Sequence, residues 1–181
     1  MNFDKLPPQP DGEGHVNVVV DTPAGSANKY KLDPELGLFR VSRVMPRGLT
    51  FPHDFGSIPG TRAADGDALD VLLVGLPPTF PGCLVTARLI GILHARQVEK
   101  GKSIRNDRLI AVGETPVNPS PIRSLGDLEP AQLADIERFF KTYNEAHGRE
   151  FKITGRGDRR AAAAALERAI KQYRAQEGHG R

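Results

Sequence analysis

The stretch "DGDALDVLLV" (residues 65–74) contains the two features on which the interpretation of this chain depends. Three carboxylates fall within its first six residues, and an apolar run that predicts a β-strand follows them directly. Like charges at this spacing repel one another. Either a turn keeps the carboxylates hydrated, or a divalent cation gathers them.

The composition indicates a soluble globular protein. The chain has 181 residues, of which 39% are hydrophobic and 26% charged, so one compact domain with a sizeable core is expected. We expect this domain to span residues 1–181, with a loose Pro- and Gly-containing arm at residues 1–14. The net charge of +3 is compatible with an anionic ligand but does not demand nucleic acid.

Several observations predict a cytoplasmic protein that does not enter a membrane. No apolar run approaches the roughly 20 residues that a membrane-spanning helix needs. The first residues carry acids and prolines without an apolar core, so we expect no signal peptide. Cys83 is the only cysteine, which rules out an intrachain disulfide and a cysteine-based zinc cluster.

The order of predicted elements gives the fold class, α+β. Turn clusters separate short β-rich runs, and such spacing suggests a sandwich or a small barrel. These runs are residues 15–20, 28–33, 38–44, 69–75, 84–93 and 108–114. Helical apolar spacing then predicts a helix over residues 130–147, and an alanine-rich helix over 159–176 follows a short strand at 150–154. The face against which the alanine-rich helix packs, barrel or neighbouring chain, stays open.

Other common motifs are absent. An EF-hand loop starting at Asp65 would need Gly and Glu where Asp70 and Leu76 stand. The "GKS" at Gly101 lacks the first glycine of a P-loop, and no H-E-x-x-H or G-x-S-x-G sequence occurs. The acidic stretch therefore remains the main candidate for a functional site.

Two features favour a cation over a merely hydrated turn. Asp67 and Asp70 stand at the start of a very apolar strand, where unpaired carboxylates would be costly. The preceding "FPHDFGSIPGTRAA" (residues 51–64) is a long loop of the kind that presents ligands from a rigid scaffold.

The stretch "FPHDFGSIPGTRAADGDALDVLLV" resembles the soluble family I inorganic pyrophosphatases (inorganic diphosphatases), with their D-x-D-x-x-D signature entering a strand. Further blocks resemble that family in the same order: "VVVDTPAGSANKYKLD", "FRVSRVMP", "NDRLIAV" and "RFFKTYN". The resemblance covers roughly residues 15–146. It implies an OB-type five-stranded β-barrel with two C-terminal helices packed outside, and a homo-oligomer, in bacterial-type relatives usually a hexamer.

The resemblance also implies a site that hydrolyses inorganic pyrophosphate with Mg²⁺. Asp67 would orient the attacking water or accept its proton. The implied metal positions are Asp65, Asp70, Asp21 and Asn106. The implied substrate-binding residues are Lys29, Arg43, Arg108 and Tyr143.

The chain departs from the family pattern in one direction. Lys31, Gln97 and Asn106 stand where the resemblance places carboxylates, and each loss weakens Mg²⁺ binding. Asp21 replaces a glutamate and Arg108 a lysine. The remaining departures are Phe55 and Ser57, at positions usual for tyrosine, and Asn144 in place of a lysine.

Two consequences of these departures stay open. Lys31 either supplies a fixed cation where a metal ion would sit, or points to solvent. Glu99 or Asp107 would restore a carboxylate if the loop at residues 96–106 folds over the site.

We therefore predict a divergent Mg²⁺-dependent inorganic diphosphatase. The alternative is a weak or inactive relative that binds phosphate or a phosphorylated ligand. An OB-type nucleic-acid binder is the weakest hypothesis, because aromatic residues make up only 6% of the chain.

Overall fold

The computed structural model describes residues 6–10, 14–99, 101–115, 117 and 119–177. The strands in these residues are β1 (His15–Thr22), β2 (Asn28–Asp33), β3 (Leu38–Val44), β4 (Asp54–Ile58), β5 (Leu69–Val74), β6 (Leu84–Glu99), β7 (Lys102–Arg105), β8 (Arg108–Gly113) and β9 (Glu150–Gly157). The helices are α1 (Pro130–Glu145) and α2 (Arg159–Glu177). Both predicted helices are confirmed to within two residues at either end.

Five strands close into a ring in the order β1-β4-β5-β8-β6, because β6 also pairs with β1. The pairing of β5 with β8 is parallel and the other four are antiparallel. β7 and β9 both pair with β6, and β2 and β3 form a separate hairpin. The predicted α+β class with an OB-type five-stranded barrel is confirmed.

The apolar run after the acidic stretch is buried on both of its faces. Val71 and Leu73 belong to one hydrophobic cluster, whereas Leu72 and Val74 belong to a second. Alternating side chains of a strand point to opposite faces, so β5 takes part in both clusters. This explains why the run is apolar throughout rather than alternating with polar residues.

The two helices cover the two clusters. α1 contributes Leu133, Ile136, Phe139, Phe140 and Tyr143 to the cluster that contains Leu72 and Val74. α2 contributes Ala162, Ala165, Leu166 and Ala169 to the other cluster. The alanine-rich face therefore packs on the barrel.

Two strands were missed in the sequence. β4 lies inside the stretch expected to be a long loop, and it is short and contains Gly56. A Cβ on Gly56 would lie 2.2 Å from the carbonyl oxygen of Val19, so only glycine permits β4 to pair this closely with β1. The loop at residues 96–106 proves to be a hairpin in which β6 turns into β7 at Gly101, with φ of 75°.

The N-terminal arm is described only in part, since residues 1–5 and 11–13 lie outside the described residues. In the described part, Asn17 donates its backbone N–H to the carbonyl of Pro8 and its side-chain amide to that of Pro7, both at 2.9 Å. This part of the arm is tied to β1 rather than loose. No helix among the described residues is long and apolar enough to span a membrane.

Candidate active site

A cavity of about 700 Å³ lies between the barrel, the β2–β3 hairpin and the end of α1. It brings together eight of the nine predicted site residues: Asp21, Lys29, Asp65, Asp67, Asp70, Asn106, Arg108 and Tyr143. The ninth, Arg43, is not among the lining residues. We call this space the central cavity.

Two irregularities in strand pairing lie next to the central cavity, and the first places Asp21 in its wall. In β1, Val20 and Thr22 pair with consecutive residues of β4, so Asp21 is the extra residue of a β-bulge. In β3, Ser42 is the extra residue opposite the step from Lys29 to Tyr30, and its hydroxyl donates to the Lys29 carbonyl at 3.1 Å. Bulges re-aim side chains in this way near active sites.

The acidic turn (residues 65–70) is held by its own backbone. The backbone N–H of Asp67 donates to Oδ1 of Asp65 at 3.2 Å, and that of Ala63 donates to the carbonyl of Asp67 at 2.7 Å. Gly66 has φ of 90°, a conformation that L side chains rarely adopt, so the glycine between the two aspartates permits the turn.

Lys31 points into the central cavity and pairs with Asp67. Its Nζ lies 3.1 Å from Oδ1 and 3.3 Å from Oδ2 of that carboxylate, although both side chains are more than half exposed. Lys31 thus combines features of both alternatives, since its ammonium is ion-paired with Asp67 while its side chain remains largely exposed to solvent. Lys29 and Lys31 share one face of β2, as the strand period predicted.

Arg108 pairs with the last carboxylate of the acidic turn. Its Nη1 lies 2.6 Å from Oδ2 of Asp70, and the guanidinium is buried against the rings of Phe140 and Phe151. Arg108 also donates to the side-chain oxygen of Asn106, whose amide in turn donates to Gln97 at 2.9 Å. Asn106 and Gln97, two positions where carboxylates were expected, thus form a neutral network that positions Arg108.

Lys29 is held by aromatic rings instead of a carboxylate. Its Nζ lies 4.9 Å from the ring centroid of Phe55 and 5.4 Å from that of Tyr143. Arg43 stands opposite Lys29 in the β2–β3 register. Nη1 of Arg43 is buried, and no hydrogen-bond partner for it exists among the described residues.

The carboxylates around the central cavity disturb one another's ionisation. Burial, followed by the charge of Asp70, raises the pKa of Asp21 to about 7. The same two causes, in the same order, raise the pKa of Asp65, since the cavity wall removes part of its water even though the turn is exposed. Asp21 and Asp65 therefore favour their protonated forms more than free carboxyl groups do, and a cation bound beside them would favour the ionised forms.

The fit of a divalent ion can be judged from these donors. Within the described parts of the chain, no three His, Cys, Asp or Glu side chains already converge on one metal position. Carboxylates with raised pKa values nevertheless face a space wide enough for bound water. That combination fits Mg²⁺, which binds through one or two carboxylates and keeps several waters.

The structure adds residues to the predicted site and tests the two proposed replacement ligands. Tyr30 and Arg149 line the central cavity and were not predicted. Arg149 follows Gly148, at the end of α1, and a basic residue after a helix-ending glycine gives no functional signal in a sequence. The hypothesis that Asp107 replaces a lost metal ligand is wrong. Its carboxylate lies outside this cavity, where it pairs with Arg105 and accepts a hydrogen bond from the backbone N–H of Ala95. The side chain of Glu99 lies outside the described residues.

The fold and the central cavity together define a class of protein. It is an OB-type barrel whose wall gathers acidic and basic side chains around one space, an arrangement suited to a multiply charged anion and its counter-ions. A model of the inorganic pyrophosphatase family matches residues 18–174. The chain belongs to the inorganic pyrophosphatase family.

Individual relatives match over nearly their whole length. The chain is 34% identical to the inorganic pyrophosphatase of Synechocystis, over 96% of this chain and 100% of that protein. It is 36% identical to that of Sulfolobus acidocaldarius, over 93% and 96%. The crystal structure of the Thermus thermophilus inorganic pyrophosphatase superposes with a TM-score of 0.86 at 34% identity, over 96% of this chain and 99% of that one.

Proposed function

We propose that this chain is a divergent enzyme that hydrolyses inorganic pyrophosphate to two phosphates and depends on Mg²⁺. The observation that carries the proposal is the central cavity, which unites the acidic turn with Lys29 and Tyr143. Relatives named inorganic pyrophosphatase, about 34% identical over 96% of this chain, support the same activity.

The proposed roles of Asp67, Lys29 and Tyr143 follow from their positions in the cavity. Asp67 orients the attacking water or accepts its proton, since its exposed carboxylate stands at the cavity rim. Lys29 binds phosphate oxygens, because its ammonium is held over aromatic rings and keeps its donors for the substrate. Tyr143 lines the cavity and adds an anion contact. Arg43 does not line the cavity, and its assignment rests on its place opposite Lys29 and on its unbonded Nη1.

Arg108 has a double role in this proposal. It holds Asp70 at 2.6 Å, and it lines the same cavity as the substrate-binding residues. A guanidinium presents five N–H donors. Arg108 can therefore keep its ion pair with Asp70 and its hydrogen bond to Asn106 and still donate to a phosphate oxygen.

Asp65, Asp70 and Asp21 are the residues that would hold Mg²⁺. When bound, the ion lowers the pKa of its water and neutralises charge on the substrate. The incomplete carboxylate set is a consequence of Lys31, Gln97 and Asn106. We assign Asn106 to positioning Arg108, since its side-chain oxygen already accepts from that guanidinium.

Lys31 supplies part of the missing cationic charge. Its ammonium contacts both oxygens of Asp67, and it is the nearest described cation to that carboxylate. We propose that this fixed charge replaces one divalent ion, so that the enzyme works with fewer ions than a complete carboxylate set would bind.

A phosphate-binding relative without catalysis is the second candidate. The observation that favours it is that Asp67 and Asp70 are both ion-paired, with Lys31 and Arg108. An occupied carboxylate is a poorer base and a poorer metal ligand.

The cell compartment and the assembly belong to the same proposal. We propose a cytoplasmic enzyme that acts on inorganic pyrophosphate, away from membranes and nucleic acid. We also propose a homo-oligomer, with the hexamer that the family resemblance implies as the expected form.

The deciding experiment is phosphate release from pyrophosphate by the purified protein while Mg²⁺ is raised from zero. We expect release that depends on Mg²⁺ and is reduced at least about 100-fold in both Asp70→Asn and Asp67→Asn, because each removes a charge at the reacting centre. Wild-type protein that binds pyrophosphate and releases no phosphate at any Mg²⁺ concentration would instead support the binder.

A further inference from the structure

A second, smaller pocket adjoins the acidic turn. Its volume is about 180 Å³, and its charged lining residues are Arg62, Arg105, Arg168 and Asp107. Four alanines together with Leu69 and Gln172 form the rest of its wall. We call it the arginine pocket, and none of its lining residues lines the central cavity.

The charge of the arginine pocket is unbalanced. Asp107 is its one lining carboxylate, and Arg105 already engages it at 2.6 Å. Arg168, on the exposed side of α2, pairs with no carboxylate among the described residues. Three guanidinium groups against one carboxylate leave two positive charges around a space that is open to an anion.

Arg62 adds an unsatisfied buried donor. Its Nε is buried and has no hydrogen-bond partner in the described part of the chain. Its Nη1 donates to the carbonyl oxygen of Gly66, inside the acidic turn. A buried donor without a partner is costly, and a ligand oxygen would remove that cost.

We propose that the arginine pocket binds a single phosphate group, free or carried on a small metabolite. A water molecule occupies about 30 Å³ in the liquid, so the pocket has room for one tetrahedral oxyanion and a few waters. Guanidinium groups match phosphate geometry with paired donors. The site is distinct from the one proposed for pyrophosphate, and Arg62 links its occupancy to the backbone of the acidic turn.

The test is calorimetric titration of inorganic phosphate into metal-free protein that carries Lys29→Gln, which weakens phosphate binding in the central cavity. We expect about one phosphate per chain to remain bound. Adding Arg168→Gln should weaken that binding roughly tenfold, the loss expected for one charge-assisted contact. The experiment does not involve turnover, so its outcome is independent of whether the chain hydrolyses pyrophosphate.

Arg160→Gln is the matched control, since it removes the same charge from an exposed position of α2 outside the pocket. An unchanged phosphate affinity in the Arg168→Gln protein, or an equal loss in the Arg160→Gln protein, would overturn the proposal. Arg168→Lys keeps the charge but not the paired donors. Its phosphate affinity should therefore fall between those of the Arg168 and Arg168→Gln proteins. The same titration is repeated with adenosine 5′-monophosphate. Tighter binding than that of inorganic phosphate would indicate a phosphate group carried on a metabolite, and weaker binding would indicate free phosphate.

Discussion

The contact between Lys31 and Asp67 places a fixed positive charge beside the acidic turn. Lys31 offsets the charge of Asp67, which stands in the same turn as Asp65 and Asp70. Burial, followed by the charge of Asp70, raises the pKa of the neighbouring Asp21 to about 7. A fixed ammonium at this position competes with any mobile cation for the same carboxylate. The number of divalent ions that the site holds should therefore depend on residue 31.

Lys31→Glu should increase the affinity for Mg²⁺ by about tenfold or more, because it removes the competing ammonium and adds an oxygen ligand. Titration of Mg²⁺ into metal-free protein by calorimetry measures this directly, without turnover. Lys141→Glu makes the same change of charge on the exposed side of α1, and it should leave Mg²⁺ affinity nearly unchanged. Equal effects of the two substitutions would contradict a local role for Lys31.

The residues of the acidic turn were predictable because their chemistry is local. Asp65, Asp67 and Asp70 lie within one turn, so their spacing alone suggests a shared ligand. The partner of Asp67 was not predictable, since Lys31 is 36 positions away and strand alternation fixes only its face. Asp107 was predicted wrongly for the reverse reason. It is close to the site residues in the sequence, but its carboxylate lines the arginine pocket and not the central cavity.

At the scale of elements, a buried ion network joins β6, β8 and the segment after them. Glu114 follows β8 and accepts from the guanidinium of Arg88 on β6, from Arg123 and from the backbone of Ser120. Arg88 also donates to the carbonyl of Ile122 at 3.0 Å. This network attaches residues 120–123 to the barrel, just before α1 begins.

Glu114→Gln should reduce the free energy of unfolding at pH 7 by about 3 kcal/mol, because it leaves the buried Arg88 without its counter-charge. Hydrogen bonding from Arg88 lowers the pKa of Glu114 to about 2, from a usual value of 4.5. Because the pKa of Glu114 is lower in the folded than in the unfolded state, its ionised carboxylate stabilises the folded protein above pH 4.5. That contribution is lost as the pH falls towards 2. Urea denaturation at pH 7 and pH 3 should show a smaller difference between the two proteins at pH 3.

Glu145→Gln is the control for that substitution. Its carboxylate is exposed and lies 3.9 Å from Lys141, so its loss should change the unfolding free energy by less than about 0.5 kcal/mol at either pH. A difference for Glu114→Gln that stays constant from pH 7 to pH 3 would contradict the ionic explanation.

Elements with strong apolar periods could be predicted, and short strands shaped by their partners could not. α1 shows helical apolar spacing and β5 is a continuous apolar run, so both could be recognised without knowledge of the elements that pack on them. β4 is five residues long and includes Gly56. A glycine is required there because the backbone of Val19 in β1 leaves no room for a side chain, and the sequence does not show that contact. The bulge at Asp21 depends likewise on the register between two strands, which no local pattern records.

At the scale of the whole molecule, the β2–β3 hairpin leaves apolar side chains uncovered. Leu38, Val41 and Val44 on β3 are 65%, 52% and 67% exposed, and Leu36 at the turn is 62% exposed. Scattered apolar residues are normal on a surface, but Val41 and Val44 share one face of the hairpin by its register and are both more than half exposed, which indicates a contact surface. This exposed hairpin also carries Lys29 and Lys31, so an interface here would rigidify one wall of the central cavity.

Val44→Asp should therefore dissociate the proposed homo-oligomer, because a carboxylate would be buried without a partner at each contact. Size-exclusion chromatography with light scattering should give wild-type protein a mass that is a multiple of the 19.7 kDa chain, six being the multiple that the family resemblance implies. The substituted protein should run smaller at the same concentration. Ala164→Asp, at an exposed position of α2, should leave the mass unchanged. A wild-type mass of one chain at micromolar concentration would contradict both the assembly and the assignment of this surface.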